Sequence, residues 1–197
     1  MESANLVNKS NSAWSYHSLN TTQTPTGSIF FEQEEGQCSV CSAQRSLRYT
    51  SSFYSVEEPE YLCPWCIADG SAAAKYNGEF NDYAGIEGVS VDPASTDETT
   101  IPKALLLQVS ERTPSYSSWQ QEVWLTHCGE PCAFIDYADA EMIAPLLKEL
   151  QDDIATIEHG FGVEPKYLLE CLNSGGLAGY LFRCVICGQH RLHTDCD

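Results

Sequence analysis

Three pairs of cysteines share one spacing: Cys38 and Cys41 in "CSVC", Cys63 and Cys66 in "CPWC", Cys184 and Cys187 in "CVIC". The first two pairs stand 21 residues apart, close to the roughly 15–20 that separate the halves of many four-cysteine metal sites. A Cys-x-x-Cys turn can aim backbone amides at its sulfurs and offset their charge. Zinc takes four such donors in a tetrahedron, with sulfur at about 2.3 Å. The second pair opens "PWCIADGSAAAKY", which reads as a short helix, and a helix start favours thiolate over thiol. Cys38, Cys41, Cys63 and Cys66 are therefore predicted to hold one structural zinc ion in a treble-clef-like unit. Four thiolates would accept iron as well.

The same sulfurs admit a rival chemistry. "CPWC" resembles the active pair of glutaredoxin-type oxidoreductases, so a thiol–disulfide oxidoreductase centred on Cys63 and Cys66 is the alternative. In that fold the pair follows a β-strand, whereas here it follows "EEPEY" and has a matching pair upstream. A redox enzyme leaves Cys38 and Cys41 without a task.

A second tetrad is predicted from Cys128, Cys132, Cys184 and Cys187. "THCGEPC" supplies the first two, with His127 as an alternative ligand for either, and the Gly after Cys187 suits a tight turn. Its halves are 51 residues apart, so the pattern is less regular. Cys171 reads as a buried small apolar residue, and His190, His193, Asp195 and Cys196 as a solvated tail. Two closed four-ligand sites leave no position for an activated water, so no enzyme is expected.

The expected fold class is α+β: small zinc-ribbon or treble-clef-like units combined with short β-strands and two helices. Residues 1–13 read as a flexible tail, 14–90 as an N-terminal zinc-binding unit and 101–197 as a C-terminal α+β unit, with "VDPASTDETT" (91–100) as the loop between them. "KALLLQVS" (103–110), a short apolar run between prolines, is predicted as a buried strand, and so is 117–128. Residues 139–158 place apolar side chains at three- and four-residue steps, predicting one helix capped by Asp139. "PKYLLECLNSGG" predicts a second, and 178–197 a hairpin around "CVIC".

The formal charge is −18, with 28 acidic and 10 basic residues. The excess is spread evenly, with 14 acids and 4 bases over residues 1–100 and 14 and 6 over 101–197. Such a surface repels phosphate backbones and anionic membranes and steers basic proteins toward itself. A nucleic-acid-binding regulator would need a basic stripe that this composition does not supply. The opening "MESANLVNKSNSAW" lacks a basic start and an apolar block, so a cytoplasmic protein is expected. In a reducing compartment its cysteines serve as ligands or buried thiols rather than disulfides.

Three blocks, "FYSVEEPEYLCPWCIADGSAAAKYNGEFND" (53–82), "ERTPSYSSWQQEVWLTHCGEPCAF" (111–134) and "YLFRCVICGQHRLHTDCD" (180–197), resemble the CbrC family, bacterial proteins named for an association with colicin tolerance. The likeness extends over nearly the whole chain beyond its first dozen residues. It implies a cysteine-rich cytoplasmic protein with zinc at Cys38, Cys41, Cys63 and Cys66, and carries no catalytic residue onto this sequence. Taken together, the expectation is a non-enzymatic, zinc-stabilised acidic interaction protein with two zinc ions. Its expected partner is a basic protein, in the manner of an immunity protein against a nuclease toxin.

Overall fold

A computed structural model describes residues 30–89 and 101–196. The predicted tail (1–13), most of the segment after it and the 91–100 loop lie outside the described residues. What is described is a mixture of short helices and small antiparallel sheets, as the α+β reading expects.

Strands β1 (Phe31–Gln37) and β2 (Gln44–Tyr49) form an antiparallel hairpin, with an irregularity between Gln33 and Gly36. The predicted helix after the second cysteine pair is two short helices, α1 (Pro64–Ala68) and α2 (Ser71–Tyr76), broken at Gly70, whose φ of 81° no helix accommodates. A two-strand ribbon joins β3 (Thr126–His127) to β4 (Glu130–Pro131). A three-stranded sheet of order β5 (Ala133–Ala138), β6 (Ala178–Arg183), β7 (His190–Asp195) follows. The hairpin predicted around "CVIC" is β6–β7.

One sequence expectation is overturned and another holds only in part. "KALLLQVS" is not a strand but the start of α3 (Lys103–Arg112), with Leu106, Val109 and Ser110 buried at helical steps. Its last carbonyls are claimed by the buried Asn81, whose Nδ2 donates to Val109 O at 2.9 Å and Thr113 O at 2.7 Å. Of the strand expected at 117–128, Thr126–His127 is in a strand and Trp124 is bridged to Ile86, while before them side chains take the amides. Ser115 N–H donates to Tyr49 Oη (3.0 Å), Ser117 N–H to Tyr137 Oη (2.9 Å) and Val123 N–H to Tyr116 Oη (2.9 Å). The N–H groups of Trp119 and Gln120 both donate to Asp195 Oδ2, at 3.0 and 3.2 Å.

The first predicted helix is interrupted at Pro145. Asp139 caps as expected, accepting from Met142 N–H at 2.9 Å, but only Ala140–Ile143 (α4) is α-helical before a 3₁₀ turn at Ala144–Leu146. The helix resumes as α5 (Gln151–Phe161). The second runs from a 3₁₀ turn at Pro165–Tyr167 into α6 (Leu168–Ser174) and stops at Gly175. Two apolar clusters result. One gathers residues from Phe30 to Cys184 around stacked Tyr116 and Phe134, whose rings lie 4.8 Å apart. The other packs α4, α5 and α6 on Leu181 and Leu192 of the three-stranded sheet. The C-terminal tail is part of this structure, since His193 is half-buried and Asp195 is buried.

Candidate metal centres

The first centre is built where the β1–β2 hairpin turns. Cys38 N–H donates to Ala43 O and Ser42 N–H to Cys38 O, both at 2.9 Å, and Val40 N–H reaches Cys38 Sγ at 3.4 Å. Closing this turn puts Ser42 at φ 57°. Residues 61–63 run beside it: Ser39 N–H donates to Tyr61 O, and Tyr49 N–H to Leu62 O, at 2.9 Å each. Cys63 then stands immediately before α1, Pro64 occupies its first position, and Cys66 falls in its first turn. The local sequence therefore aims both pairs at one point. Sulfur separations are 3.8 Å for Cys38–Cys66, 4.0 Å for Cys41–Cys63 and 3.5 Å for Cys63–Cys66. A tetrahedron with sulfur at about 2.3 Å from its centre has edges of about 3.8 Å. The four sulfurs could hold a metal ion without rearrangement, and none of the ten cysteines is in a disulfide.

The second centre uses the same turn at the end of β6. Cys184 N–H donates to Gln189 O (2.7 Å), Gly188 N–H to Cys184 O (3.0 Å) and Ile186 N–H to Cys184 Sγ (3.4 Å), with Gly188 at φ 80°. Opposite it, the ribbon of β3 and β4 pairs His127 with Glu130, leaving Cys128 and Gly129 as a two-residue turn at φ 55° and 76°. Both central residues positive is the primed hairpin turn. This turn delivers His127 and Cys128 together: His127 Nδ1 lies 3.3 Å from Cys128 Sγ and 3.3 Å from Cys187 Sγ. The group of four is His127, Cys128, Cys184 and Cys187, with all donor atoms within 4.8 Å of one another.

Where the sequence put Cys132, the structure brings its alternative, His127, to Cys128, Cys184 and Cys187. Beyond β4, Cys132 turns into the apolar cluster, fully buried, while its carbonyl accepts from Trp124 Nε1 at 2.8 Å. Burial, with nearby Cys184 adding to it, pushes its thiol up to about 12.

A family model described as "Uncharacterised protein family (UPF0167)" matches residues 13–196. The chain belongs to UPF0167. Among curated relatives, a UPF0167 protein of Pseudomonas aeruginosa is 39% identical over 179 residues, covering 88% of this chain and 92% of its own length. UPF0167 proteins of Mycobacterium bovis and Mycobacterium tuberculosis are each 33% identical over 175 residues, covering 87% of this chain and 88% of theirs. No solved structure matches.

In each tetrad of this UPF0167 chain the thiols shift one another's acidity. Burial pushes Cys66 up to about 11 and Cys63 higher still. Burial also works against the Cys41 thiolate, but a backbone bond from Ala43, then Cys66, Cys38 and Arg45, bring Cys41 down to about 6. The second tetrad repeats the pattern. Cys184 is opposed by burial yet held at about 6 by the Cys187 amide, His127 and the Ile186 amide. The neighbouring Cys187, then burial, raise Cys128 to about 11. A lowered thiol beside raised ones is the response of like charges at contact distance, and a dication would favour the thiolate form of its ligands. Cys63 is a poor redox nucleophile here, being fully buried with its thiol raised.

Two supporting groups carried no signal in the cysteine spacing. Arg45 stacks on Trp65 with its guanidinium carbon 4.3 Å from the ring centroid and sets Nη2 4.0 Å from Cys41 Sγ, while Lys75 Nζ donates to Ser39 O in the same turn. Arg191 of β7 donates from Nε to Asp153 Oδ1 at 2.9 Å, from Nη2 to Glu87 Oε1 at 3.1 Å and from Nη1 to the carbonyl of Thr126, the residue before His127. Trp119 is half exposed, and Arg112 Nε donates to Ala68 O at 2.9 Å. Among the described residues no helix is long and apolar enough to cross a membrane.

Proposed function

We infer that this chain is a zinc-braced acidic interaction protein of the cytoplasm, without catalytic activity of its own. The observation that carries the reading is the match between donor spacing and a zinc tetrahedron: sulfur edges of 3.5 to 4.0 Å in one group, and nitrogen–sulfur edges of 3.3 Å in the other. Cys38, Cys41, Cys63 and Cys66 hold one ion in a treble-clef-like arrangement of hairpin turn and helix start. His127, Cys128, Cys184 and Cys187 hold the second, between two hairpin turns. Four protein donors complete each shell and leave no coordination position for an activated water. Zinc then serves as scaffolding.

The formal charge of −18 favours a basic protein partner through long-range steering. The resemblance to the CbrC family makes a basic nuclease toxin of the bacteriocin type the specific candidate. Metal analysis of freshly purified protein is expected to give two zinc ions per chain, and fewer than one would overturn the scaffold. Titrating the zinc-loaded protein into a bacteriocin nuclease is expected to suppress DNA cleavage at equimolar ratio. Undiminished cleavage with excess protein would remove that partner while leaving the scaffold reading intact.

A further inference from the structure

The two tetrads differ in what covers them. In the first, Cys38, Cys63 and Cys66 are 1%, 0% and 2% exposed, so only Cys41 meets solvent, and Arg45 and Trp65 stand beside it. In the second, Cys184 alone is buried, Cys128 and Cys187 are exposed and His127 is half-buried. Those two exposed sulfurs share the His127 Nδ1 at 3.3 Å each and lie within 4.8 Å of one another. They also sit on separate turns, Cys128 on the two-residue turn between β3 and β4 and Cys187 on the turn between β6 and β7. Both lie outside the paired strand residues. Nothing comparable exists in the first tetrad, where any pair of sulfurs includes a buried one.

Resting on the metal reading given above, we propose that Cys128 and Cys187 are an oxidation site: a two-electron oxidant of the peroxide class joins them as a disulfide and expels the second zinc ion, while the first ion stays. One exposed thiolate attacks a peroxide oxygen. The O–O bond breaks, hydroxide leaves and a sulfenic acid forms on that sulfur. The other thiolate attacks the sulfenic sulfur, forming the S–S bond as the S–O bond breaks and a second hydroxide leaves. The sulfurs lose two electrons, hydrogen peroxide gains them, and two protons from solvent complete two waters. The ion is left with His127 and Cys184 as its protein donors, half of a tetrahedral shell, and dissociates. A thiol reductant reverses the S–S bond, and zinc then rebinds.

The test uses the full chain, freed of reductant and first assayed for zinc. Hydrogen peroxide is added with a chromophoric zinc chelator, and the oxidised protein is digested without reduction for peptide mass spectrometry. The expected result is release of one of two zinc equivalents, a Cys128–Cys187 cross-linked peptide, and recovery of the second equivalent after reductant and added zinc. Starting material that lacks two zinc ions would overturn the metal reading and this proposal with it. Starting material that holds two and then keeps both, loses both together, or cross-links within Cys38, Cys41, Cys63 and Cys66 would overturn the oxidation site alone.

Discussion

Replacing Arg191 with Met should cost far more than a surface charge normally does. The Arg191 side chain is 18% exposed and bonds three separate segments: Asp153 of α5, Glu87 after the 3₁₀ turn at Tyr83–Gly85, and the Thr126 carbonyl of β3. Asp153 is the sensitive partner, with its side chain 8% exposed. Burial already pushes its carboxyl above the usual range despite the Leu192 amide and Arg191. Removing one side of a buried pair costs about 3–5 kcal/mol, because the other charge stays behind. The Glu87 side chain is 41% exposed, and its share is discounted to about 0–1 kcal/mol. The total, about 3–6 kcal/mol, corresponds to a fall of roughly 1.5–3 M in the urea midpoint at a slope of about 2 kcal/mol per M. Asp153→Asn added to Arg191→Met removes the stranded charge and keeps an acceptor for Leu192 N–H, which donates to Asp153 Oδ2 at 2.9 Å. The double variant should therefore recover about half of the loss. Urea unfolding of zinc-saturated protein, followed by tryptophan fluorescence, measures both. A loss below about 1 kcal/mol for Arg191→Met, or a double variant no better than the single, would refute the assignment of Asp153 as a charge held by Arg191.

Cys132→Ser should retain two zinc ions, because Cys132 lies in the apolar cluster outside the tetrad, and should lose about 1–3 kcal/mol for burying a hydroxyl. His127→Ala should lose one ion by metal analysis, and the opposite pattern would restore Cys132 as ligand. His193 gives a pH signature. Burial lowers its pKa although Asp195 Oδ1 is 3.2 Å away, so the unfolded chain binds the proton more readily. Its contribution is complete above the unfolded value of about 6.5 and is lost as pH falls through the folded one. Melting temperatures measured from pH 7 down to pH 5 should therefore fall less steeply in His193→Asn than in the parent. Ser42 occupies, at φ 57°, the turn position that Gly188 fills in the other hairpin at 80°. Ser42→Gly should raise stability by a few tenths to about 1 kcal/mol in thermal melts, since only glycine adopts that conformation without strain.

The first tetrad was legible because its geometry is local. A Cys-x-x-Cys turn and a Cys-x-x-Cys helix start each fix two sulfurs from adjacent residues, and only the meeting of the two is tertiary. The second was half legible. "CVICG" announces its turn, but the ligand choice on the other side depends on a primed hairpin turn at Cys128–Gly129. Cysteine is not a residue whose presence signals positive φ. Reading "CGEPC" as a stretched cysteine pair left His127 as an alternative when the turn makes it a member. The strand expected at 103–110 failed for a different reason. Three leucines and a valine between prolines are too few to separate a buried strand from a helix, and Phe80 and Asn81, which bond Ser110 O and Val109 O, are remote in sequence. The strand expected from residue 117 begins only later because nothing local reveals that Tyr137 and Asp195 will take the amides of Ser117 and Trp119.

The two centres also differ in what their metal holds together. In the first, zinc would fasten a hairpin turn to the helix start beside it, within 29 residues (38–66). Three of its sulfurs are buried in the apolar cluster beside Tyr61, Leu62 and Ile67, so removing the ion would leave unpaired thiols inside packed structure. In the second, zinc would clamp the β3–β4 turn to the β6–β7 turn across more than fifty residues, but other bonds already hold these elements. β5 pairs with β6 from Ala133–Arg183 to Ala138–Gly179, Cys132 N–H is tied to Leu125 O, and Arg191 holds Thr126 to β7. Loss of the second ion should therefore loosen two exposed turns while the sheet and its cluster persist. Loss of the first should unfold its surroundings. The open tetrad thus joins turns whose strands are already paired, and the closed one joins a turn to a helix start through buried sulfurs.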